Sequence, residues 1–591
     1  MSMTHRRQWT LAAGALALAL LAACGDDHDR SSAGDDAGEP ADPLAAYRSQ
    51  HVEWTGCDTS DYRIADATAA LGADALRCTT IRVPADYADP AGGDLQVGVM
   101  KAMGTDRARH LGAILFNPGG PGGDGYAIGA SIARLASRAD AANPVSARFK
   151  EMAARYDMVG FSPRGVGRST QFECLPVPAG PARDPLHDPL DDAAIALVHQ
   201  SARVFAEGCL AAPHARVIHT DATARDMDLI RELLGQERLN YVGYSYGTQL
   251  GAWYAALFPG RVGKMLLDGA LDMNLPRPLF DDAAAPATQH VVDRIIAPWA
   301  AAQADTVDVG ADVAEVQAIY PDAPLWAREA LSAALYADLG HPGYADGVVN
   351  VLAALRGITA IARAHPGLSD DGWPALIEAR VFATDPQRNQ AIAQLAGSAV
   401  QRKVQETRQE IEVIGSEDSA YWAIKCNTSA MPGLQYWTDG LRADASRYPV
   451  MGPDRTYQPC EFWGGPVATM PPLTLPGPVM MLHSEFDPLT PLDGALSTFK
   501  SLPGASLVLI KGDYQHGLFP YGEDCVDGPM IDYFLGDRAP APRYAECAGR
   551  PRFPSDAAGP QLRSRQATPT ESTETGDPAR RLPPGWIAGP R

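Results

Sequence analysis

The sequence has few basic residues for its length of 591 residues. Its 50 lysines and arginines stand against 71 aspartates and glutamates, which gives a formal net charge of −21 at pH 7. Proteins that bind nucleic acid, or anionic lipid by charge, need a positive surface. The deficit therefore argues against both kinds of partner, and we interpret most of the acidic residues as solvated surface.

The sequence also lacks an internal repeat, and no group of cysteines and histidines has the spacing of a zinc site. The glycine-rich stretch at residues 117–123 is not followed by the lysine and hydroxyl residue of a phosphate-binding loop. We therefore expect no metal, no nucleotide and no other cofactor. A hydrophobic fraction of 46% is that of a globular protein, and the length exceeds that of one ordinary domain.

The apolar run near the N-terminus is too short for a comfortable membrane span. It extends from Trp9 to Ala23 after two arginines, which is the pattern of a secretory signal. The last residues, Leu21-Ala22-Ala23-Cys24, fit the lipobox of bacterial lipoproteins. We predict cleavage before Cys24, lipid attachment to that cysteine and anchoring to a membrane of the cell envelope. The alternative is an ordinary signal peptide in which Cys24 is incidental.

Cysteine usage is consistent with export. Nine cysteines are present, and eight remain when Cys24 is set aside. An even number in an oxidising compartment predicts disulfides. Our hypothesis is four local bridges that join neighbours in chain order, although many other pairings are possible. The candidates are Cys57, Cys78, Cys174, Cys209, Cys426, Cys460, Cys525 and Cys547.

Gly243-Tyr244-Ser245-Tyr246-Gly247 is the most informative motif. It follows a strand-like apolar run, 239–242, and precedes a helix-like run, 248–258. In this context G-x-S-x-G forms a nucleophile elbow, in which the glycines permit a sharp turn and the serine is held at the edge of a sheet. The alternative is a glycine-bracketed serine in a surface turn.

A nucleophilic serine needs a base, and the base needs an orienting acid. In hydrolases with this elbow the chain order is serine, acid, histidine. Asp487 follows the apolar run 479–482, and His516 follows the run 506–510. Two successive strands would bring both side chains to the edge that holds Ser245. Asp268, at the end of the run 264–267, is the alternative acid, because some related folds take the acid from there.

Acyl transfer also requires backbone N–H groups that face the developing oxyanion. The residue after the nucleophile, Tyr246, supplies one. The stretch Asn117-Pro-Gly-Gly-Pro-Gly-Gly123 follows a short apolar strand and has the glycines that a close backbone approach requires. We favour the N–H of Gly120 as the second donor, with Gly119 as its neighbour.

These motifs resemble the proline iminopeptidase and tripeptidyl aminopeptidase branch of the α/β-hydrolases. The resemblance also includes Pro163-Arg164-Gly165-Val166-Gly167-Arg168-Ser169 and covers roughly residues 50 to 550. It implies an α/β fold, with a mostly parallel central sheet flanked by helices and a large helical lid insertion. It also implies that Pro-Gly-Gly-Pro-Gly is the oxyanion loop. Lid carboxylates would hold the substrate ammonium, and the candidates are Glu410, Glu412, Glu417, Asp418 and Glu461.

Two positions depart from the family pattern. Ser162 stands where the family often has an aspartate, which weakens one structural ion pair. Asn427 stands where the family often has an acidic residue. If that position helps to bind the substrate amine, the preference for peptide N-termini is in doubt.

The predicted organisation has six parts. They are a signal peptide at 1–23, a disordered tether at 24–50, the first part of the hydrolase core at 51–274, a helical lid at 275–440, the second part of the core at 441–553, and a disordered tail at 554–591. The lid is predicted because apolar residues recur at helical spacing between Val348 and Ile361.

The predicted function is that of a serine hydrolase that releases short peptides or residues from peptide N-termini through Ser245, His516 and Asp487. One alternative keeps the chemistry and changes the substrate to small esters. Another is a catalytically silent envelope lipoprotein that binds a partner.

Overall fold

A computed structural model of the chain describes residues 42–178, 190–275, 277–408, 411–412, 414–451, 457–473, 475, 477–536 and 542–550. The predicted signal peptide, Cys24, Glu410 and the predicted tail lie outside the described residues. The predicted tether ends earlier than residue 50, because residues 45–48 are helical and Tyr47 is buried against the sheet. Its hydroxyl donates a hydrogen bond of 2.8 Å to the carbonyl oxygen of Pro90.

Within the described residues, nine strands form one sheet in the order β1-β2-β4-β3-β6-β7-β9-β10-β11. The seven strands from β4 to β11 in this order are parallel to one another, and β2 is antiparallel to both β1 and β4. The short strands β5 and β8 pair separately. The bounds are β1 Leu76–Asp86, β2 Asp89–Ala102, β3 Ala113–Asn117, β4 Asp157–Phe161, β5 Val177–Pro178, β6 Leu239–Tyr244, β7 Val262–Asp268, β8 Ile411–Glu412, β9 Val479–Ser484, β10 Ala505–Lys511 and β11 Tyr544–Ala548.

The central strands are apolar because both faces of the sheet are covered, as is usual for parallel strands. Every residue of β3, β4 and β9 is buried. Successive side chains of β3 contribute to different cores: Leu115 packs in one cluster, whereas Ile114 and Phe116 pack in another. The predicted α/β class with a mostly parallel sheet is confirmed.

Helices connect the strands and cover the sheet. Their bounds are α1 Ala45–Arg48, α2 Tyr62–Leu71, α3 Ile128–Arg138, α4 Pro144–Arg155, α5 Asp192–Ala211, α6 Thr220–Leu233, α7 Tyr246–Leu257, α8 Arg277–Val291, α9 Ala297–Ala301, α10 Val313–Asp322, α11 Leu325–Leu339, α12 Ala345–Ala364, α13 Trp373–Glu378, α14 Pro386–Arg408, α15 Ser416–Thr428, α16 Leu434–Asp444, α17 Leu492–Ser501 and α18 Asp524–Leu535.

Helices α8 to α14 lie between β7 and β9 in the chain and pack around a hydrophobic core distinct from those of the sheet, to which Val450 and Tyr514 also contribute. Among the described helices, the segment Pro342–Ala364 is the one that is long and apolar enough to cross a membrane, with a mean hydropathy of 1.4. Two thirds of its most apolar window is buried inside the structure, and its residues form the centre of this helical core.

Helix α15 differs from the other helices of the predicted lid. Ala420, Ala423 and Ile424 are buried in the same cluster as the sheet residues Leu115 and Met481. The helical region with a separate core, which we call the helical region hereafter, therefore comprises residues 277–408, and α15 packs with the sheet.

Candidate active site

Ser245 lies between the last residue of β6 and the first of α7, with φ 55° and ψ −124°. Positive φ is strained for a residue with a side chain, and such strain occurs at functional sites. A Cβ on Gly243 would lie 2.4 Å from the carbonyl oxygen of Gly247, and a Cβ on Gly247 would lie 2.8 Å from that of Asn117. Both glycines are therefore required for this turn.

The loops that carry the predicted acid, Asp487, and the predicted base, His516, are called the acid loop and the base loop hereafter, and they meet at the carboxyl ends of β9 and β10. Nδ1 of His516 lies 2.8 Å from Oδ2 and 3.0 Å from Oδ1 of Asp487. Both side chains are only 1% exposed. Asp487 also accepts hydrogen bonds from the backbone of Leu489 and from the backbone and hydroxyl of Thr490. The carboxylate is thus fixed on its own loop and directed at one nitrogen of the imidazole.

The pKa values of the two candidate acids, Asp487 and Asp268, are shifted in opposite directions. Burial alone would raise the pKa of the Asp487 carboxyl, but the charge and hydrogen bond of His516 outweigh it and hold the pKa below its ordinary value. Burial raises the pKa of Asp268 to about 7. The Asp268 carboxylate accepts hydrogen bonds from backbone N–H groups and none from the His516 ring. The contacts therefore favour Asp487 as the orienting acid.

Ser245 and His516 both lie against the end of β7. The N–H of Ser245 donates a hydrogen bond of 2.9 Å to the carbonyl oxygen of Asp268. A Cβ on the next residue, Gly269, would lie 3.3 Å from Cε1 of His516. Nε2 of His516 is buried and makes no hydrogen bond within the described part of the chain, so the Ser245 hydroxyl is not bonded to it. Such bonds are often long in a free enzyme and tighten in the substrate complex.

The glycine-rich loop after β3 packs on the elbow. Gly119 and Gly120 have φ of 99° and 109°, which favours glycine. A Cβ on Gly119 would lie 2.5 Å from the carbonyl oxygen of Tyr244 and 3.1 Å from the backbone nitrogen of Tyr246. The Gly119 N–H is already bonded to Oδ1 of Asn117 at 3.0 Å. The Gly120 N–H makes no hydrogen bond within the described residues, which favours Gly120 as an oxyanion donor.

A family model described as the alpha/beta hydrolase fold matches residues 112–523, which is more than half of the chain. The chain belongs to the α/β-hydrolase fold family. The match begins just before β3 and ends after the His516 loop, so it includes the elbow, the glycine-rich loop and both the acid and the base loops.

Three known proteins are similar over most of their length. A tripeptidyl aminopeptidase from Streptomyces lividans is 28% identical over 533 residues, which cover 85% of this chain and 88% of that protein. Serine protease Hip1 from Mycobacterium tuberculosis is 26% identical over 521 residues, 84% and 91% of the two chains. Carboxylesterase B from the same species is 28% identical over 542 residues, 86% and 92% of the two chains. The predicted resemblance to the tripeptidyl aminopeptidase branch is confirmed.

The acidic candidates of the predicted lid have different surroundings. Glu417 and Asp418 lie in the first turn of α15. This turn contacts the glycine-rich loop, because a Cβ on Gly122 would lie 2.9 Å from the carbonyl oxygen of Glu417. Glu461 instead accepts hydrogen bonds from the Trp437 indole and the Gly433 N–H, at 2.7 and 2.8 Å. Glu461 is therefore engaged in local packing, and of Glu412 only the backbone is described, in β8.

Asn427, the second departure from the family pattern, is completely buried. Its amide donates hydrogen bonds to the carbonyl oxygens of Ala215 and Ile218, at 2.7 and 3.0 Å. Its Oδ1 accepts a hydrogen bond of 2.9 Å from the Trp463 indole. Both donors and the acceptor are thus used inside the protein, and Asn427 holds α15 to the segment before α6.

Ser162, the first departure, does not leave Arg164 unpaired. The buried guanidinium of Arg164 makes two hydrogen bonds of 2.7 Å with the carboxylate of Asp226. Ser162 donates a hydrogen bond of 2.7 Å to Asp124 and accepts one of 2.9 Å from the backbone of Arg168. The carboxylate that balances Arg164 therefore comes from α6.

Four disulfides join the eight candidate cysteines, all of which belong to the described part of the chain. The pairs are Cys57–Cys78, Cys174–Cys209, Cys426–Cys460 and Cys525–Cys547. Each pair joins neighbours in chain order. Disulfides of this number are typical of proteins that fold in an oxidising compartment, which indicates an extracellular or envelope location.

Two contacts of the site were not predicted from the sequence. The Thr490 hydroxyl lies 2.9 Å from Oδ2 of Asp487 and 3.2 Å from Nδ1 of His516. The carbonyl oxygen of Gly340, in the helical region, accepts a hydrogen bond of 2.7 Å from the backbone N–H of His516. Thr490 follows Asp487 closely enough for a local turn to be inferred, whereas Gly340 is remote in the chain.

Proposed function

We propose that the protein is a serine hydrolase of the cell envelope and that it acts as an exopeptidase, which releases short peptides or single residues from peptide N-termini. The observation that carries the proposal is the hydrogen bond of 2.8 Å between His516 and Asp487, at the sheet edge where Ser245 has a strained backbone. Similarity to a tripeptidyl aminopeptidase and to a serine protease favours a peptide substrate.

In this mechanism Nε2 of His516 accepts the proton of Ser245 as the hydroxyl oxygen attacks the scissile carbonyl. Asp487 holds the proton on Nδ1, so that Nε2 is free to act as the base. The imidazolium then donates its proton to the leaving amine, and the C–N bond breaks. Water, deprotonated by the same imidazole, attacks the acyl-enzyme and releases the N-terminal product.

Two backbone N–H groups are proposed to stabilise the tetrahedral intermediate. One belongs to Tyr246, at the N-terminus of α7, where the helix dipole favours negative charge. The other belongs to Gly120. Each donor of this kind contributes roughly 3 kcal/mol to lowering the barrier.

Recognition of a free N-terminus requires a negative group near the elbow. The first turn of α15 is proposed to supply it through Glu417 and Asp418, because that turn packs on the glycine-rich loop. The helical region 277–408 is proposed to cover the site as a lid. The hydrogen bond that the Gly340 carbonyl oxygen accepts from the backbone N–H of His516 supports this position.

The envelope location is proposed to depend on lipid attachment to Cys24. The lipobox Leu21-Ala22-Ala23-Cys24 supports attachment, and the four disulfides support export. Labelling of the full chain with radioactive palmitate in a bacterial host would test it, with Cys24→Ala as the control that should lose the label.

The catalytic proposal is tested by Ser245→Ala. We expect the rate on a tripeptide anilide to fall by at least about 10⁴-fold and labelling by a fluorophosphonate probe to be lost, with an unchanged melting temperature. Ser398→Ala is the control, because among the described residues the hydrogen bond of that hydroxyl is to Leu395 within α14. Retained turnover in Ser245→Ala would contradict the proposal.

An esterase on small substrates is the second candidate, and similarity to carboxylesterase B favours it. The triad chemistry is the same, so only substrate preference separates the two functions. We expect a tripeptide anilide with a free amine to be cleaved faster than its N-acetylated form and faster than a short acyl ester. Faster cleavage of the ester, with no effect of N-acetylation, would favour the esterase.

A further inference from the structure

Asp268 is bonded to both the nucleophile and the base loop. Its backbone carbonyl oxygen accepts the Ser245 N–H at 2.9 Å. Oδ2 of its side chain accepts the N–H groups of Leu518 and Phe519, at 2.8 and 2.7 Å. These are the second and third residues after His516, so one residue holds the backbone on both sides of the Ser245–His516 pair.

A second contact links the same two segments. The hydroxyl of Tyr244, the residue before Ser245, donates a hydrogen bond of 2.7 Å to the carbonyl oxygen of Phe519. Phe519 therefore donates its N–H to Asp268 and accepts a hydrogen bond at its carbonyl from Tyr244. The base loop is tied to the end of β6 and to the end of β7 at one point.

We infer that Asp268 is a positioning residue, which sets the separation of the Ser245 hydroxyl and the His516 imidazole by holding the elbow with its carbonyl and the base loop with its carboxyl group. This inference rests on the proposed function. Asp268 is then not the acid of the triad, because the carboxylate of Asp487 is the group hydrogen-bonded to Nδ1 of His516.

The side chain acts here as a hydrogen-bond acceptor, and its shape is more important than its charge. Asp268 is fully buried, and Oδ1 has no hydrogen-bond partner within the described residues. Burial raises the pKa of the group to about 7. An asparagine can place its amide oxygen at the position of Oδ2 and its amide nitrogen at the position of Oδ1, so it should preserve both backbone hydrogen bonds.

Asp527, in the first turn of α18, offers a matched control that bonds the same loop. It is also buried, and its carboxylate accepts two backbone N–H groups, from Tyr521 at 2.8 Å and from Gly522 at 2.6 Å. It bonds the far end of the base loop and not the elbow. Loss of a buried acceptor is therefore similar in the two alanine variants. Only Asp268→Ala detaches the base loop from the residue whose backbone carbonyl holds Ser245.

The experiment compares Asp268→Asn, Asp268→Glu and Asp268→Ala with Asp527→Ala, in steady-state kinetics on a tripeptide anilide and in the rate of fluorophosphonate labelling. We expect Asp268→Asn to keep kcat within about threefold. Asp268→Glu and Asp268→Ala should lose about 10²-fold in kcat with little change in KM, because a displacement of about 1 Å in the reacting groups has this effect. Asp527→Ala should lower the melting temperature as much and kcat far less.

Two results would overturn the inference. The first is a loss of kcat in Asp268→Asn as large as in Asp268→Ala, because the charge would then be the essential property. The second is an Asp268→Glu variant as active as the wild type. If Asp268→Ala does not fold, the kcat values of Asp268→Asn and Asp268→Glu are sufficient to test the inference. A wild-type protein that is not labelled by the probe would contradict the proposed function, whereas equal labelling of the wild type and Asp268→Glu would contradict only this inference.

Discussion

The backbone N–H of His516 donates a hydrogen bond of 2.7 Å to the carbonyl oxygen of Gly340. Gly340 ends α11 in the helical region, whereas His516 belongs to the base loop of the sheet. A second hydrogen bond joins the helical region to the acid loop. The hydroxyl of Thr288, in α8, donates it to the carbonyl oxygen of Pro488 at 2.8 Å. The helical region is therefore bonded to the loops of both the acid and the base.

Gly340→Ala should reduce activity through a direct contact with the base. A Cβ at this position would lie 3.0 Å from Cβ of His516, which is closer than ordinary packing allows. The φ of −79° suits alanine, so backbone strain does not contribute. We expect kcat on a tripeptide anilide to fall by roughly tenfold to 10²-fold, because small displacements of a reacting group are costly.

Gly343→Ala is the control for this prediction. Gly343 lies in the same connection between α11 and α12, and a Cβ there would have no atom within 4 Å. It should leave kcat unchanged. Equal rates for the Gly340 and Gly343 variants would show that the helical region does not position His516.

Asp487→Asn should abolish most of the activity while the fold persists. The amide can still accept the N–H groups of Leu489 and Thr490, but it no longer stabilises a proton on Nδ1 of His516 or the imidazolium that forms in the reaction. We expect a loss of about 10⁴-fold in kcat at neutral pH. Thr490→Val, which removes only the neighbouring hydroxyl, should cost less than about tenfold, and a larger loss than in Asp487→Asn would contradict the assignment of the acid.

Local sequence patterns predicted the strands well, and the reason is physical. The run 479–482 falls inside β9, because a parallel strand covered on both faces must be continuously apolar. The motif around Ser245 predicted a sharp turn because only glycine fits on both sides. These features depend on residues that are close in the chain, and their interpretation needs no knowledge of distant partners.

Other features depend on residues far apart, and the sequence contains no local trace of them. The carboxyl group of Asp268 bonds to Leu518, 250 residues away. Asp226 balances Arg164 across 62 residues, although the family pattern pointed to position 162. The acidic character of Glu461 predicted a substrate contact, but its partner is the Trp437 indole, 24 residues away. The residue type alone does not distinguish a carboxylate that accepts a hydrogen bond inside the protein from one that binds the substrate.

Gly119→Ala should disrupt the glycine-rich loop and the elbow together. A Cβ at Gly119 would lie 2.5 Å from the carbonyl oxygen of Tyr244, so the loop would have to move away from Ser245. We expect kcat to fall by about 10²-fold or more, since loss of one oxyanion donor has this effect. Steady-state kinetics on a tripeptide anilide, with a melting curve for each variant, would measure it.

Gly433→Ala separates this clash from backbone strain. Gly433 has φ of 102°, close to the 99° of Gly119, but a Cβ there would meet no atom within 4 Å. Both variants should lose about 1 to 3 kcal/mol of stability from the strained backbone at positive φ, and only the Gly119 variant should lose activity. If both variants lost activity, backbone strain and not the clash with Tyr244 would explain the loss.

His219→Asn should make the protein less sensitive to acid. Nδ1 of His219 accepts the N–H of Ala222 at 3.2 Å and so caps α6, which requires the neutral ring. Burial, followed by the charge of Arg164, lowers the pKa of His219 to about 4. Because this folded-state pKa lies below the ordinary value of 6.5, the unfolded chain binds the proton more readily. The stability that the neutral ring contributes is therefore complete above pH 6.5 and is lost as the pH falls toward 4.

Asparagine caps a helix as well as any residue and does not titrate in this range. The free energy of unfolding of His219→Asn should thus lie within about 1 kcal/mol of the wild type at pH 7.5, and the difference should shift in favour of the variant as the pH falls to about 4.5. Urea unfolding at pH 7.5, 6 and 4.5 would measure it. His341 also has a pKa lowered to about 4 by burial, so the wild-type protein should keep part of its acid sensitivity in the variant. A constant difference between the two proteins at all three values of pH would show that the pKa of His219 is the same in the folded and unfolded states, and that the fold does not hold the ring neutral.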